Sequence, residues 1–491
     1  MAAWRHVGSS RRLGPLPVDI MQHLALPSCA RGPAALGSTL LTVLALGATP
    51  LSVSSQTMAP RDTMPMSGMA VVPDPLGVSM DRLGSGTTWI PDAVSLPSRR
   101  FTAGAWNFML HGFVFGQYDT QGGARGGTQF GSLNWGMLMA THELAGGRFQ
   151  LRTMLSLDAL GVTPRGYPLL LQTGEAYNGA PLHDRQHPHD LFMELGAMYD
   201  RPITNGVGFT LYAAPSGEPA LGPVAFMHRP SAMDIPAAPI GHHWQDATHI
   251  SFGVLTAGLF THDVRVEGSV FNGRDPDQNR WDFDPIRLDS YSGRVSYNPN
   301  AHWALNAGYG FIKSPEALTP EMSMHRITAS AMYGEKLGAD GQLATTFIWG
   351  ANLHSDHPGL SHSGLIESEA VLDHLNTVFG RIEVVQKSAD DLVLDVPRFN
   401  FAPTQTFNVG ALSLGYIREV VPMKAATIGL GAMGTVNLVP QSLQPAYGSR
   451  TPLGLFLFVR LRPVAARAAG MGGMRGMHMS GMDSQSKEER P

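Results

Sequence analysis

The sequence contains almost no cysteine, little charge and no long apolar segment beyond its first 56 residues. Cys29 is the only cysteine among 491 residues, so the rest of the chain can form no disulfide and no cysteine-based zinc or iron–sulfur site. Charged residues make up 15% of the chain, whereas a cytoplasmic enzyme usually carries about 25%. The net charge of −4 gives no overall positive field for nucleic acid. The absence of an 18-residue apolar stretch after position 56 excludes helical membrane spans.

The N-terminal region has the pattern of an export signal. Arg31 precedes an apolar run at residues 36–48, and small residues follow at 52–55. This run is shorter than the ~20 residues that a membrane-spanning helix needs, and it matches a secretory signal peptide. Cys29 lies before the apolar run, which argues against a lipoprotein anchor. We therefore predict a signal peptide region at 1–55, with Met21 as an alternative start.

What the chain does contain is a series of segments of about ten residues in which apolar and polar side chains alternate. The alternation is clearest at 149–159, 264–270 and 288–298. A period of two is typical of β-strands with one apolar face. The predicted strands are 102–118, 129–142, 147–160, 190–200, 204–215, 246–260, 261–272, 286–298, 301–313, 322–335, 340–353, 365–375, 376–388, 404–419, 423–437 and 450–462. Aromatic residues near the strand ends suit interfacial girdles; they are Trp106, Tyr118, Trp135, Tyr199, Trp303 and Tyr333.

The connections between these segments alternate between short turns and long loops. Membrane barrels have short periplasmic turns, long external loops and both termini in the periplasm. The predicted long loops are 119–128, 161–189, 216–245, 273–285, 314–321, 354–364, 389–403 and 438–449. The sequence therefore predicts an all-β fold, a single transmembrane antiparallel barrel of about 16 strands (14–18), at residues 101–463. Residues 56–100 and 464–491 are predicted to be disordered periplasmic segments.

Methionine is concentrated in these two flanking segments. Residues 57–69 and 470–482 hold nine of the 25 methionines. Thioether sulfur is a soft ligand that suits Cu(I) and Ag(I), and a flexible chain can wrap several such groups around one ion. The predicted ligands are Met58, Met64, Met66, Met69, Met471, Met474, Met477, His478, Met479 and Met482. The alternative is a low-complexity linker in which the methionines are incidental.

Histidines cluster in three predicted long loops or at their margins. Ten of the 19 are His183, His187, His189, His228, His242, His243, His249, His354, His357 and His362. Neutral imidazole suits Zn(II), Cu(II) or Ni(II). His183, His187, His189, His242 and His243 are the candidate ligands, provided that the loops converge. The alternative is that histidine serves as an ordinary polar loop residue.

Two further sets of charged residues are candidates for a function, one in a predicted loop and one on the predicted inward face of the strands. The sequence from Asp275 resembles the start of a calcium loop, but Arg280 and Ile286 replace the required glycine and glutamate; carboxylates at a pore mouth are the better interpretation. Charges on the predicted inward face line a water-filled pore or neutralise one another. The predicted pore-lining residues are Arg152, Asp158, Glu194, Arg265, Glu267, Arg294, Arg326, Arg381 and Glu383.

The architecture resembles porin-like outer-membrane barrels of Gram-negative bacteria over roughly residues 100–463. Methionine-rich segments beside a barrel also resemble the outer-membrane copper-resistance protein B family, on the strength of Met58, Met64, Met66 and Met69. The resemblance implies outer-membrane lipid and the barrel-assembly machinery as partners, with a homotrimer as one expected assembly. It also implies copper sequestration or export.

The function predicted from the sequence is an outer-membrane channel linked to copper or silver handling. No cofactor is required in this prediction, although copper ions are expected ligands. A general or solute-selective porin without a metal role is the main alternative, and a structural or adhesive surface barrel is the other. No G-x-S-x-G motif or Ser–His–acid set indicates catalysis, so the chain is not expected to be an enzyme.

Overall fold

A computed structural model describes residues 74–356, 359–394 and 396–464. The predicted signal peptide region and both methionine-rich segments lie outside these residues. Sixteen strands of the described chain form one closed antiparallel barrel, in which the last strand, β19 (Leu453–Pro463), pairs with the first, β2 (Trp106–Gln121). The additional strand β1 (Ser98–Ala103) pairs with the start of β2. Within the described residues, no helix is both long and apolar enough to cross a membrane.

The barrel strands follow the predicted order and count. They are β2 (Trp106–Gln121), β3 (Gly127–Leu144), β4 (Gly147–Leu155), β7 (Phe192–Pro202), β8 (Gly208–Gly217), β9 (Ser251–Phe260), β10 (Val264–Phe271), β11 (Ser290–Asn300), β12 (Trp303–Lys313), β13 (Ser323–Leu337), β14 (Gly341–His354), β15 (Ser361–Val371), β16 (Asn376–Ser388), β17 (Thr406–Pro422), β18 (Ala426–Leu438) and β19 (Leu453–Pro463). The sequence prediction of a single barrel of about 16 strands is confirmed. Because every second side chain points outward, the alternation in the sequence was sufficient to find each strand.

The remaining elements belong to connections at the long-loop end or to the segment before β1. A hairpin of β5 (Tyr167–Tyr177) and β6 (Ala180–Gln186) was not predicted. The four short α-helices are α1 (Asp158–Gly161), α2 (His242–Gln245), α3 (Val396–Phe399) and α4 (Gln444–Tyr447). Single 3-10 turns occur at Pro75–Gly77, Met80–Arg82, Phe226–His228, Ala247–His249 and Gln441–Leu443.

The outer face of the barrel is apolar and the inner face is largely polar. In β10, the residues Val266 and Val270 are 52% and 43% exposed. Arg265, which directly precedes Val266, is fully buried. The same contrast holds in β19, where Leu457 points outward and Arg460 inward. An apolar belt around a closed barrel with no free edge is the surface that a lipid bilayer requires. The prediction that Trp135 belongs to an interfacial girdle is wrong. Its side chain faces the interior, where the ring packs against His111 and His228.

Two segments of the chain fill the inside of the barrel. Residues 74–97, here called the N-terminal segment, fall in the stretch predicted to be disordered, yet residues 83–91 are buried in a continuous row. Residues 218–250, here called the inner loop, cover most of the predicted external loop at 216–245 and the first five residues of the predicted strand at 246–260, yet all except His249 are buried. A local sequence pattern cannot distinguish an outward loop from an inward one, because the partners of these residues lie on distant strands.

An arginine at Leu457 is expected to destabilise the barrel in lipid by about 2–4 kcal/mol, because a charge on the lipid face near mid-membrane loses its hydration. Leu457 lies in the middle of β19 and is 47% exposed. The measurement is the free energy of unfolding in phospholipid vesicles, followed by tryptophan fluorescence. Leu453→Arg at the strand end is the matched control and should cost about 0–1 kcal/mol. Equal costs at both positions would contradict the membrane placement.

Candidate functional site

The nine charged residues predicted to line a pore are all buried; eight lie on the inner face of barrel strands, whereas Asp158 lies in α1 after β4. Their charges are matched mostly across strands. Arg294 pairs with Glu267 at 2.8 Å, and Arg381 pairs with Glu367 at 2.9 Å. In both pairs the two residues face each other on neighbouring strands, where facing side chains are close. Arg265 of β10 reaches Asp200 on β7 at 3.5 Å, which lies three strands away around the barrel.

The N-terminal segment is held inside by arginines of the barrel wall. Arg148 donates a hydrogen bond to the carbonyl of Val78 at 2.7 Å, and Arg265 donates to the carbonyl of Thr87 at 2.7 Å. Arg294 donates to the Thr87 hydroxyl at 2.7 Å. Each of these guanidiniums also contacts a wall carboxylate, so the wall supplies both halves of the ion pairs. These three arginines therefore hold the N-terminal segment against the barrel wall.

The inner loop is anchored by a second set of wall residues. Arg229 of the loop lies between Glu367 of β15, at 2.5 Å, and Asp246 of the loop, at 2.6 Å. The wall carboxylate of Glu383 accepts a hydrogen bond from the Ile240 backbone N–H at 2.7 Å. Because the pairs are fully buried, removing one partner leaves an uncompensated charge, which typically costs 3–5 kcal/mol.

At the long-loop end, two adjoining cavities of about 290 Å³ and about 20 Å³ remain above the inner loop. We call them together the vestibule. Among the residues that the structure describes, the larger cavity is lined by five carboxylates and by no lysine or arginine; the carboxylates are Glu175, Glu316, Asp356, Asp390 and Asp391. His354 lines both cavities. Clustered carboxylates in a low-dielectric mouth attract cations and raise their local concentration.

Three potential metal ligands meet at the base of the vestibule. The ligand atoms of Glu175, His243 and Asp275 lie within 4.8 Å of one another. Nε2 of His243 lies 3.5 Å from Glu175 and makes no hydrogen bond among the described residues. Gly174 makes room for this imidazole, since a Cβ there would lie 2.7 Å from the ring. Its φ of +109° also disfavours any other residue.

The histidines singled out in the sequence converge, although mostly on carboxylates. His187 contacts Glu175 and His189 contacts Asp158, each at 2.7 Å. His242 contacts Asp246 at 2.7 Å, whereas His183 lies at the hairpin surface beside Asp184. The rings of His189, His249 and His242 follow one another at centroid distances of 5.6 and 5.1 Å. His189 and the inner-loop residues His242 and His249 thus form one histidine cluster.

Burial decides the charge state of these groups. It lowers the pKa of His187 to about 4 and the pKa of His243 well below its usual range, so both imidazoles are neutral near pH 7. Burial, with the neighbouring Glu175 and Glu316 carboxylates, raises the pKa of Asp275 well above its usual range. Burial, with Asp391 and Glu175 nearby, raises the pKa of Glu316 to about 8. The vestibule therefore holds neutral imidazoles and protonated carboxyls that a cation would deprotonate.

Sequence reasoning missed Glu175, Glu316 and Asp391 as site residues. Glu175 lies in the unpredicted hairpin, and isolated acids in loops carry no periodic signal. The methionine-rich segments, including His478, lie outside the described residues, so the ligands proposed there stay predictions. His357 also lies outside them.

The strand pairings define a closed barrel of the membrane-spanning class. No protein-family model and no curated protein matches the chain, so the resemblance to the copper-resistance protein B family has no support from these comparisons. Solved structures with a similar fold include a Salmonella typhi OmpF complex with daunomycin, at 8% identity and a TM-score of 0.45, over 74% of this chain and 99% of that one. An anion-selective porin from Comamonas acidovorans matches at 11% identity and a TM-score of 0.43, over 73% of this chain and 99% of that one. The loop L8 deletion mutant of OmpT, an outer membrane protein of Vibrio cholerae, matches at 9% identity and a TM-score of 0.44, over 73% of this chain and 100% of that one.

Cation binding in the vestibule is expected to strengthen with rising pH. Because a cation displaces the proton of a carboxyl whose pKa is about 8, the affinity should rise about tenfold per pH unit between pH 6 and 7. Titration with Mn²⁺ followed by electron paramagnetic resonance measures it. Glu316→Gln should flatten this dependence, whereas Glu335→Gln at the exposed short-turn end should leave it unchanged. A pH-independent affinity in the unmodified protein would contradict the assignment.

Proposed function

We propose that the protein is an outer-membrane channel of a Gram-negative bacterium, described here in a closed state, that admits small cations from its long-loop end. The observation that carries the proposal is the vestibule, whose larger cavity is lined, among the described residues, by five carboxylates and by no lysine or arginine. A mouth of one charge sign favours ions of the opposite sign. The apolar belt of a closed barrel supports the membrane location.

Closure follows from the way the interior is filled. The N-terminal segment lies against wall arginines, and the inner loop lies between it and the vestibule. Passage through the barrel requires that one of these segments move. Arg229 is the strongest candidate latch, because it connects the inner loop to β15 through a buried ion pair.

Replacing Arg229 by methionine is expected to raise the conductance. The variant removes the ion pairs to Glu367 and Asp246 while keeping the volume of the side chain close, so the inner loop leaves its place more often. Single-channel recording in planar bilayers measures this: the unmodified protein should be closed for most of the time, and the variant should open more often. In a salt gradient, the open variant should prefer cations.

The control for this latch is Arg274→Met, which breaks the exposed pair with Asp289 and should leave conductance unchanged. In the open variant, adding Glu316→Gln and Asp391→Asn should lower the preference for cations. An open variant without cation preference would indicate a general or solute-selective porin. A barrel that never conducts in either form would indicate a structural or adhesive surface protein.

We further propose a soft-metal role, with copper or silver ions as the cargo. Support comes from the thioether-rich segments at 57–69 and 470–482, whose residues match the ligand preferences of Cu(I) and Ag(I). In this proposal the segments, on the periplasmic side, capture the ions, and the barrel passes or holds them. The barrel-assembly machinery remains a predicted partner, and a homotrimer remains a predicted assembly.

Removing residues 470–491 is expected to lower the number of Cu(I) ions bound per chain. The truncation takes away Met471, Met474, Met477, Met479 and Met482 together with His478. Titration against a competing chelator gives the number. The same number in the truncated and the full chain would show that the C-terminal segment is only a linker.

A further inference from the structure

Two histidines inside the barrel lack the hydrogen bonds that buried imidazoles need. His111 of β2 is 3% exposed, and neither of its ring nitrogens has a partner among the described residues. His228 of the inner loop is 2% exposed, and its Nδ1 has no partner. The two rings lie 5.2 Å apart. A buried polar group without a partner costs folding free energy, so such a pair calls for a functional explanation.

Methionines surround this pair on the barrel wall. Met137 of β3 lies directly opposite His111 on β2, and Met154 of β4 lies directly opposite Met137. Facing residues of antiparallel strands have Cβ atoms about 4.5–5.5 Å apart. All three side chains point inward and are buried. Nε2 of His228 lies over this row, 3.4 Å from the sulfur of Met154.

We propose that His111, Met137, Met154 and His228 form a binding site for one soft monovalent metal ion, Cu(I) or Ag(I), inside the barrel. The donor set is two imidazoles and two thioethers, which such ions prefer and which hard cations such as Mg²⁺ and Ca²⁺ do not. A nitrogen and a sulfur bound to one ion with ordinary bond lengths and a tetrahedral angle lie about 3.5 Å apart. The observed 3.4 Å between His228 and Met154 fits this geometry.

The charge of the surroundings is compatible with a monovalent ion. Burial lowers the pKa of His228 well below its usual range, so the ring is neutral and has a free lone pair. Arg152 is the nearby cation, and its guanidinium is paired with Glu194 at 3.0 Å. A buried site with neutral donors holds a single positive charge at lower cost than a divalent ion, whose desolvation penalty is greater.

This site deepens the soft-metal role proposed above and rests on it for its place in the cell, although its residues are not those of the methionine-rich segments. The two can fail separately. If only the flanking segments bind metal, the truncation at 470–491 lowers the binding and the interior variants do not. If only the interior site binds, the reverse holds. Conductance without metal tests the channel independently.

The experiment is an Ag(I) and Cu(I) titration of the full chain in detergent, against a competing chelator. The double variant with His111→Gln and His228→Gln is expected to bind one ion fewer per chain than the unmodified protein. Met154→Leu removes one thioether at nearly constant volume and should weaken that ion's binding without unfolding the barrel. Met332→Leu is the matched control, because Met332 is a buried methionine in a separate cluster, and it should bind like the unmodified protein.

X-ray absorption at the copper edge gives a second, independent readout. The interior site supplies two nitrogens and two sulfurs, whereas the C-terminal segment offers only one histidine. The double variant should therefore lose the imidazole scattering contributed by this ion. Folding of every variant is checked by its heat-modifiable migration on gels. An unchanged number of ions in a double variant that still migrates as a folded barrel would overturn the proposal, and so would an unchanged affinity in Met154→Leu if the double variant does not fold.

Discussion

The structure depends on the requirement that every charge inside the barrel be matched by a partner. A barrel wall of this size places many inward-facing side chains in a space that is cut off from bulk water, and several of them are arginines. The wall carboxylates neutralise part of this charge, as Asp200 does for Arg148. The remaining guanidinium donors are directed at the backbone of the N-terminal segment, as Arg148 is to Val78 and Arg265 to Thr87. The inner loop is held in the same way, by the buried ion pair between Arg229 and Glu367. The filling of the barrel is thus coupled to the buried charge, because a buried guanidinium that lost its carboxylate or carbonyl partner would be left uncompensated.

The filling of the barrel also determines where a site can form. Because the N-terminal segment and the inner loop occupy most of the interior, the remaining space lies at the long-loop end, and the hairpin at residues 167–186 brings Glu175 to it. The imidazole of His243 is supplied by the inner loop itself, and Gly174 of the hairpin gives it room. The inner loop therefore both fills the barrel and lines the vestibule. In the proposed channel, a movement of the inner loop would change the conductance and the cation binding together.

The sequence was sufficient to predict the strands of this barrel and insufficient to predict which segments fill its interior. Each of the sixteen strands was predicted because alternation is a local property, and Val266 and Arg265 face opposite sides for that reason alone. The position of residues 218–250 inside the barrel is determined by contacts with β14 to β16 more than a hundred positions away, which no local pattern records. Histidine clustering indicated that loops could converge, and they do, yet the partners were carboxylates such as Glu175 in an unpredicted hairpin. Interior methionines attracted no notice in the sequence, because a methionine in a strand looks the same as any apolar core residue.

The position of His228 links the interior donors to the state of the channel. His111, Met137 and Met154 belong to three wall strands, whereas His228 belongs to the inner loop that fills the barrel. An ion held by both therefore binds the filled state more tightly than a state in which the inner loop has moved. A ligand with this preference stabilises the filled state by RT ln(1 + [L]/Kd), which is about 2.7 kcal/mol at a free concentration of one hundred times Kd. That energy is comparable to the loss of a buried ion pair such as Arg229 with Glu367. An ion at these four residues would then act as a second latch, and its release would lower the free energy needed for the inner loop to leave.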